Sequence, residues 1–258
     1  MTQDVSGVVA KLERAGALLG ELDQMAFAYL ADHPFTFDVT LDRALRQYTV
    51  VVHVKETPAS LAVVFGEVLH DLRSALDHTA RLLVLADGKK PVDHGPRKTA
   101  FPILEKRPER QVDIAPGVSS PIRDVLGLVQ PFMAAEPQKD MLWRLNHLNN
   151  VDKHRLLHVT GLSGNGGAAF VPAPLDPSRA TTQEQRRHVV RLVPDVPQVF
   201  EVNEDEMFEP ATVAGLWGYT VGLGGPDSNW GNQLVGVGRG MLVHLAQDVL
   251  PRFGPFLD

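Results

Sequence analysis

One long amphipathic segment, Ala59 to Leu85, constrains the fold more than any other part of this 258-residue chain. Its apolar residues recur every three or four positions, as expected for an α-helix that turns about 100° per residue. Pro58 suits the start of a helix, where a missing N–H is tolerated, and Gly88 suits a left-handed cap after its end. The spacing therefore predicts a helix with a buried stripe made of Leu61, Phe65, Val68, Leu72, Leu76, Thr79 and Leu83.

The opposite face of this predicted helix is polar. Its centre carries His70, Asp77 and Arg81, and its flanks carry Arg73, Glu67, Asp71, Ser74 and His78. Arg73 with Asp77, and Asp77 with Arg81, are ion pairs four residues apart, each worth about 0.2–0.5 kcal/mol on an exposed helix. Two interpretations stay open: a solvated face held by ion pairs, or a cleft lined by His70, Arg73, Asp77 and His78.

The remaining elements follow from the same kind of pattern. Helices are predicted at 5–30, 120–129, 138–158 and 232–250, the last ended by Pro251. Alternating segments predict a hairpin at 35–41 and 48–55, and short strands at 168–171, 188–193, 199–202 and 216–223. The glycine-rich stretch 161–167 has no Lys-Ser/Thr after it, so it predicts a turn and no phosphate-binding loop.

These elements predict an α+β fold: a bundle of about four long helices with a small antiparallel sheet that comes largely from the second half. We expect one domain, 1–258. It can be subdivided into a helical core with the hairpin (1–160), a β-rich part (161–231) and a C-terminal helix that returns to the core (232–258).

The predicted helix 138–158 places charges where its core stripe should continue. The stripe runs through Met141, Leu145 and Leu148, the same angle then reaches Asp152, and Arg155 lies at its edge. Because buried charges are costly unless paired, both should have partners. The candidate partners are Arg73, Arg81 or His70 for Asp152, and Asp71 or Asp77 for Arg155.

His154 and His158 lie four residues apart in the same predicted helix, a spacing that can chelate one metal ion. A third ligand would have to come from elsewhere, such as His70, Asp71 or His78. This is an alternative; the main expectation is a chain without metal or other cofactor.

Composition narrows the classes of function. With no cysteine, disulfides, thiolate metal sites and cysteine nucleophiles are excluded. The formal charge of −6 argues against a broad nucleic-acid-binding surface. No apolar run approaches the ~20 residues that span a bilayer, and the N-terminus lacks a secretory layout. We therefore expect a cytoplasmic protein.

Two sequence blocks, GEVLHDLRSALDH (66–78) and WRLNHLNNVDKHRLLH (143–158), carry a resemblance. Together with Phe101-Pro-Ile103 and Gln130-Pro-Phe132, they resemble a family of uncharacterised bacterial proteins of similar length that is common in actinobacteria. The resemblance covers most of residues 60–160. It implies kinship and a shared fold, and brings no established activity.

Arg73 and His78, in the segment RSALDH, also resemble the R-x4–6-H motif of HEPN domains. These helical bundles often act as metal-independent ribonucleases. The resemblance implies that Arg73 holds the scissile phosphate and that His78 handles the 2′-hydroxyl proton, with Lys153, Arg155 and Asp152 as further contacts. It also implies RNA as a partner. A five-residue gap puts Arg73 and His78 about 140° apart on one helix, so that either the length of arginine or a second copy of the chain has to bring both onto one phosphate.

Three hypotheses therefore remain open. The best guess is a HEPN-like, metal-independent RNA-cleaving or RNA-binding protein that uses Arg73, His78, His70 and Asp77. The first alternative is a non-catalytic helical scaffold or small-ligand-binding protein with a structural charge network. The second alternative is a metal-dependent hydrolase that uses His154 and His158.

Overall fold

A computed structural model describes residues 3–95, 98–110, 112, 114–115, 117–163, 168–170, 188–190, 197–201, 219–224 and 233–258. The chain divides into two compact units, each built from separate stretches of sequence. Unit 1 comprises Met1–Gln24, Ala59–His158 and Leu234–Asp258, and unit 2 comprises Met25–Pro58 and Val159–Gln233. The predicted β-rich part, 161–231, falls for the most part on residues outside the described ranges.

Helices dominate unit 1, and the α+β class is confirmed. The helices are α1 (Ser6–Ala31), whose first part belongs to this unit, α2 (Ala59–Ala86), α3 (Ser120–Leu128), α4 (Met141–His154), α5 (Leu234–His244) and α6 (Gly254–Leu257). The predicted boundaries of α1, α2 and α3 are correct to within one residue. Helix α2 contacts α4, α5 and α6, so it lies at the centre of the unit.

All seven residues of the predicted α2 stripe are buried, which confirms the core face of this helix. The buried surface is wider than the stripe, because α2 is surrounded by other helices. It includes Gly66, Leu69, Ala75 and the carboxylate of Asp71, which is 3% exposed. A surrounded helix buries positions that a one-sided amphipathic pattern assigns to solvent.

The predicted helix 138–158 is wrong at both ends. Pro137–Lys139 forms a separate 3-10 turn, and Asp140 then caps α4 by accepting hydrogen bonds from the backbone N–H groups of Leu142 (2.8 Å) and Trp143 (3.4 Å). The helix ends at His154, and the chain turns extended at Arg155 (φ −160°, ψ 153°). Arg155 is therefore exposed. The prediction that it lies at the edge of the core stripe is wrong, because the helix ends before it.

The prediction that Pro251 ends the last helix is also wrong. After α5 the chain continues through a wide π turn, Leu245–Val249, and a 3-10 turn, Leu250–Phe253, into α6. Pro251 lies in the first turn of the 3-10 segment, where a missing N–H leaves no hydrogen bond unmade.

The described strands belong to unit 2 and form three antiparallel sheets. The predicted hairpin is confirmed: β1 (Phe35–Asp42) pairs with β2 (Gln47–Val54), which also pairs with β6 (Gln198–Glu201). The other two sheets join β3 (Val159–Ser163) to β7 (Tyr219–Leu223) and β4 (Ala168–Phe170) to β5 (His188–Val190). The predicted strand residues 171, 191–193, 202 and 216–218 lie outside the described ranges.

Strand β3 corrects one prediction. The first part of the predicted turn 161–167, Gly161 to Ser163, lies in this strand. Residues 164–167 lie outside the described ranges. Gly161 has a packing reason: a Cβ there would lie 3.0 Å from Val54 Cγ1 and 3.1 Å from the Tyr29 hydroxyl. The glycine reflects a close approach within unit 2 and is no sign of flexibility.

Candidate functional site

Asp152 of α4 lies against Gly66 of α2. A Cβ at position 66 would come within 2.5–2.6 Å of the three carboxyl atoms of Asp152, a distance that real Cβ atoms do not reach. The glycine thus makes room for a carboxylate on the surface of the neighbouring helix. This contact shows that the two helices with polar faces, α2 and α4, pack against each other.

A groove, here called the α2–α4 groove, surrounds this contact within unit 1. It has a volume of about 560 Å³. Gly66, Val63 and Leu156 line it together with eight polar residues: Lys11, Arg14, Glu67, His70, Asp71, Asn149, Asp152 and Lys153. Three helices, α1, α2 and α4, contribute these side chains.

Asp71 forms the most tightly bound part of the groove. Its carboxylate accepts from Lys11 Nζ at 2.6 Å and from Arg14 Nε at 3.0 Å, and Arg14 also reaches Glu67 at 3.4 Å. Both cations come from α1 and were not among the partners predicted for an acid of α2. The three-residue spacing of Lys11 and Arg14 on α1 was the signal available in the sequence.

Asp152 has a different environment from Asp71. Burial raises the pKa of the Asp152 carboxyl above its ordinary 3.8, and the nearby His70 acts in the opposite direction. No hydrogen-bond donor for this carboxyl is found among the described residues. Of the three partners predicted for Asp152, the structure brings only His70 to it.

Asn149, one turn before Asp152 on α4, carries a buried polar atom of the groove that is not hydrogen-bonded to any described residue. The residue is 2% exposed, and its Nδ2 has no hydrogen-bond acceptor among the described residues. Asn149 was not a predicted site residue. Its position between the core residues Leu145 and Leu148 and the charged Asp152 was the only sign of it in the sequence.

Arg73 and Asp77 do not line this groove. Arg73 Nη2 donates to the backbone oxygen of Phe101 at 2.9 Å and lies 3.0 Å from Asp77 Oδ1, which in turn accepts from the Phe101 N–H at 2.9 Å. Burial lowers the pKa of the Arg73 guanidinium, with Asp77 opposing the shift. The pair holds the segment around Phe101 against α2.

His78 points in another direction from Arg73. Its ring lies against Gly7 of α1, where a Cβ would be 3.2 Å from His78 Nδ1. The structure therefore brings Arg73 and His78 to different neighbours, in agreement with their 140° separation on the helix. It brings His70, Asp152 and Lys153 together instead.

The proposed histidine pair of the metal alternative is not formed as predicted. Helix α4 ends at His154, so His158 is not one turn further along the same helix. Among the described residues, no group of three His, Asp or Glu side chains could hold a metal ion.

Arg155 and His154 lie instead at a second, shallower depression of about 350 Å³ on another face of α4. There the rings of Trp143 and His147 stack with their centroids 4.9 Å apart. Arg155 thus takes no part in the α2–α4 groove.

Comparisons with known proteins add no relative: no protein-family model matches the chain, and no curated protein or solved structure is significantly similar to it. Within the described part of the chain, every helix is too short or too polar to cross a bilayer.

Proposed function

We propose that this chain is a small-ligand-binding protein and that the α2–α4 groove is its binding site. The observation that carries the proposal is the buried Asn149, whose Nδ2 has no hydrogen-bond acceptor among the described residues, one turn from the partly exposed carboxyl of Asp152. Buried polar groups are nearly always hydrogen-bonded, and leaving one unpaired costs about 1–3 kcal/mol. A ligand that accepts from Asn149 would recover this free energy on binding, and one that also donates to Asp152 would replace water at that carboxyl.

The other lining residues suit a binding site. Lys153 and His70 are exposed at its edge, and Val63 and Leu156 add apolar surface that is half exposed to solvent. The groove thus combines a small apolar surface with several polar groups that can fix the orientation of a ligand. The Asp71 cluster fixes α1 against α2 and so keeps one wall of the groove rigid.

The proposal is tested by screening a diverse fragment set against protein with labelled Val and Leu methyl groups. Binding in the groove shifts the Val63 and Leu156 methyl signals in NMR spectra. Asn149→Leu should weaken fragment binding about ten-fold, because one hydrogen bond to the ligand is lost. It should also raise the free energy of unfolding, because it removes an unpaired buried amide. Asn150→Leu, an exposed neighbour on another face of α4, is the matched control and should leave binding intact.

A second pair of variants tests the shape of the groove. Gly66→Ala should displace the Asp152 carboxyl and weaken fragment binding at least several-fold. Gly20→Ala in α1, where a Cβ meets no atom within 4 Å, should leave binding unchanged. If no fragment shifts the groove methyl groups, or if both members of either pair behave alike, the groove is not a binding site.

RNA cleavage by Arg73 and His78 stays a prediction with its own test. Only the spacing of the two residues supports it, and the contacts of Arg73 with Phe101 and Asp77 favour a structural role. The prediction requires that the chain cleave single-stranded RNA in the presence of a chelator and that His78→Ala abolish this cleavage. Wild-type protein that leaves RNA intact would contradict it.

A further inference from the structure

The hydrogen-bonding groups of the groove are complementary to one kind of ligand group. An ionised Asp152 carboxyl only accepts hydrogen bonds, so the ligand must supply a donor. The atom of Asn149 that is buried without a partner among the described residues is Nδ2, a donor, so a ligand that pairs with it supplies an acceptor. Asn149 and Asp152 are three residues apart on α4, about 5–6 Å between their Cβ atoms. A donor and an acceptor on neighbouring atoms of one ligand can span this distance.

The charges of the groove exclude a strong preference for an ion. Three cations face three anions: Lys11, Arg14 and Lys153 against Glu67, Asp71 and Asp152. Lys11 and Arg14 are already bound to Asp71, and Arg14 also to Glu67. A ligand carboxylate would meet the Asp152 carboxylate, and a ligand ammonium would meet Lys153 and the Asn149 donor. A neutral polar group meets neither conflict.

An apolar surface adjoins the polar groups. Val63 of α2 is 49% exposed and Leu156, just after α4, is 51% exposed, and both line the groove. Covering them removes apolar surface from water, which is favourable in proportion to the area. The ligand should therefore carry a small apolar group beside its polar one.

We infer that the α2–α4 groove binds a neutral amide-type group, in which a carbonyl lies next to an N–H, attached to a small apolar group. Carboxamides, lactams and nucleobase edges share this chemistry. The carbonyl accepts from Asn149 and the N–H donates to Asp152. This inference rests on the proposed function and adds the chemical class of the ligand.

Three probes of nearly equal shape test the class: isovaleramide, isovalerate and isopentylamine. Each carries the same branched apolar group, and they differ in polar group: amide, carboxylate or ammonium. Affinities at pH 7 come from titrations of the Val63 and Leu156 methyl signals, and the side-chain NH₂ signals of Asn149 report the hydrogen bond directly. Isovaleramide should bind about ten-fold more tightly than either ion, as expected for one well-made hydrogen bond.

Asp152→Asn provides a change of specificity. The variant replaces the acceptor-only carboxyl with an amide of the same shape, so two amides can donate to a carboxylate and the repulsion is gone. The affinity for isovalerate should rise about ten-fold relative to wild type. Asn149→Leu should weaken isovaleramide binding by a similar factor, and thermal unfolding curves establish that both variants are folded.

The possible outcomes separate this inference from the proposed function. If isovalerate or isopentylamine binds wild type as tightly as isovaleramide, or if Asp152→Asn does not raise the affinity for isovalerate, the ligand class is wrong. Other fragments would still shift the groove methyl groups in that case, and the binding function would stand. If no fragment shifts them, both fail.

Discussion

Asp71 and Asp152 are carboxylates of the same groove with opposite environments. Asp71 is buried and receives two charge-assisted hydrogen bonds from α1, whereas no donor to Asp152 is found among the described residues. A paired buried charge maintains structure, whereas a partly exposed carboxyl can be solvated by water. This difference gives Asp71 a structural role and leaves the Asp152 carboxyl open to the proposed ligand.

Asp71→Asn should lower the free energy of unfolding of unit 1 by about 2 kcal/mol, because it leaves Lys11 and Arg14 beside a neutral group. The estimate is below that for a fully buried pair, since Arg14 is largely exposed. Hydrogen exchange of the α2 core amides measures the effect. Glu67→Gln, the exposed acid that Arg14 also contacts, is the control and should change stability by no more than about 0.5 kcal/mol.

The raised pKa of Asp152 predicts a pH dependence with a definite sign. Folding disfavours its ionised form, so Asp152 destabilises the fold at pH 7, and this penalty disappears as the pH falls through the folded pKa towards the ordinary 3.8. Asp152→Asn should therefore be more stable than wild type at pH 7, and the advantage should shrink as the pH falls towards 3.8. Urea unfolding at several pH values measures the difference, and an advantage that grows on acidification would contradict the assignment.

Among the elements, the segments around Phe101 and Gln130 stabilise each other by hydrogen bonds. The buried Gln130 side chain donates to Pro102 O and Leu126 O at 3.0 Å and accepts from Leu104 N–H at 2.9 Å. Together with the Arg73–Asp77 contacts to Phe101, it fixes a segment that belongs to no helix or strand. Phe101-Pro-Ile103 and Gln130-Pro-Phe132 thus hold each other in place as a structural clamp. Their residues have a role in the fold that needs no catalytic explanation.

Gln130→Leu should lower the free energy of unfolding by about 2–3 kcal/mol, because three backbone groups lose their partners at once. The Leu104 amide should lose its protection from hydrogen exchange. Gln138→Leu removes a 3.3 Å contact with Glu105 on the surface and should have almost no effect. Equal effects of the two substitutions would show that the clamp contributes nothing.

At the scale of the whole molecule, unit 1 depends on the end of the chain. Helix α5 packs on α2 and α4, and a Cβ at Gly238 would lie 2.6 Å from Leu19 Cδ2. Beyond it, the fully buried Phe253 meets Phe101 edge to face, with ring centroids 5.9 Å apart. Residues separated by 150 or more positions therefore complete one core.

Phe253→Ala should cost about 3–5 kcal/mol, the usual penalty for removing a buried aromatic ring. Thermal unfolding should show a large fall in Tm, and hydrogen exchange should increase throughout the α2 core amides. Phe27→Ala, at a 75% exposed position, provides the comparison and should be nearly neutral. A small effect at Phe253 would mean that α2 is held without the C-terminal segment.

The sequence predicts α1, α2, α3 and the β1–β2 hairpin correctly, because local periodicity and turn residues specify such elements directly. It also predicts the core face of α2, but the ion-pair partners expected for a buried Asp152 are not found among the described residues, because this residue is partly exposed. Its predictions fail where two local rules compete. The cap at Asp140 makes α4 begin later than predicted, and Pro251 lies in a 3-10 turn that continues the helical path. Residue type and spacing also predict Arg73 and His78 as a pair, although the two side chains leave the helix in directions about 140° apart.

Which polar residues meet depends on the packing of the helices. Asp71 is paired by residues 60 and 57 positions away, and Asp152 is admitted to the surface of α2 by the absence of a side chain at Gly66. Neither relation leaves a periodic trace in the sequence, because each depends on how helices from distant parts of the chain pack. The polar stripe of α2 is recognisable in the sequence. The packing of α1 and α4 on α2 divides it into residues held in ion pairs and residues that line an open groove.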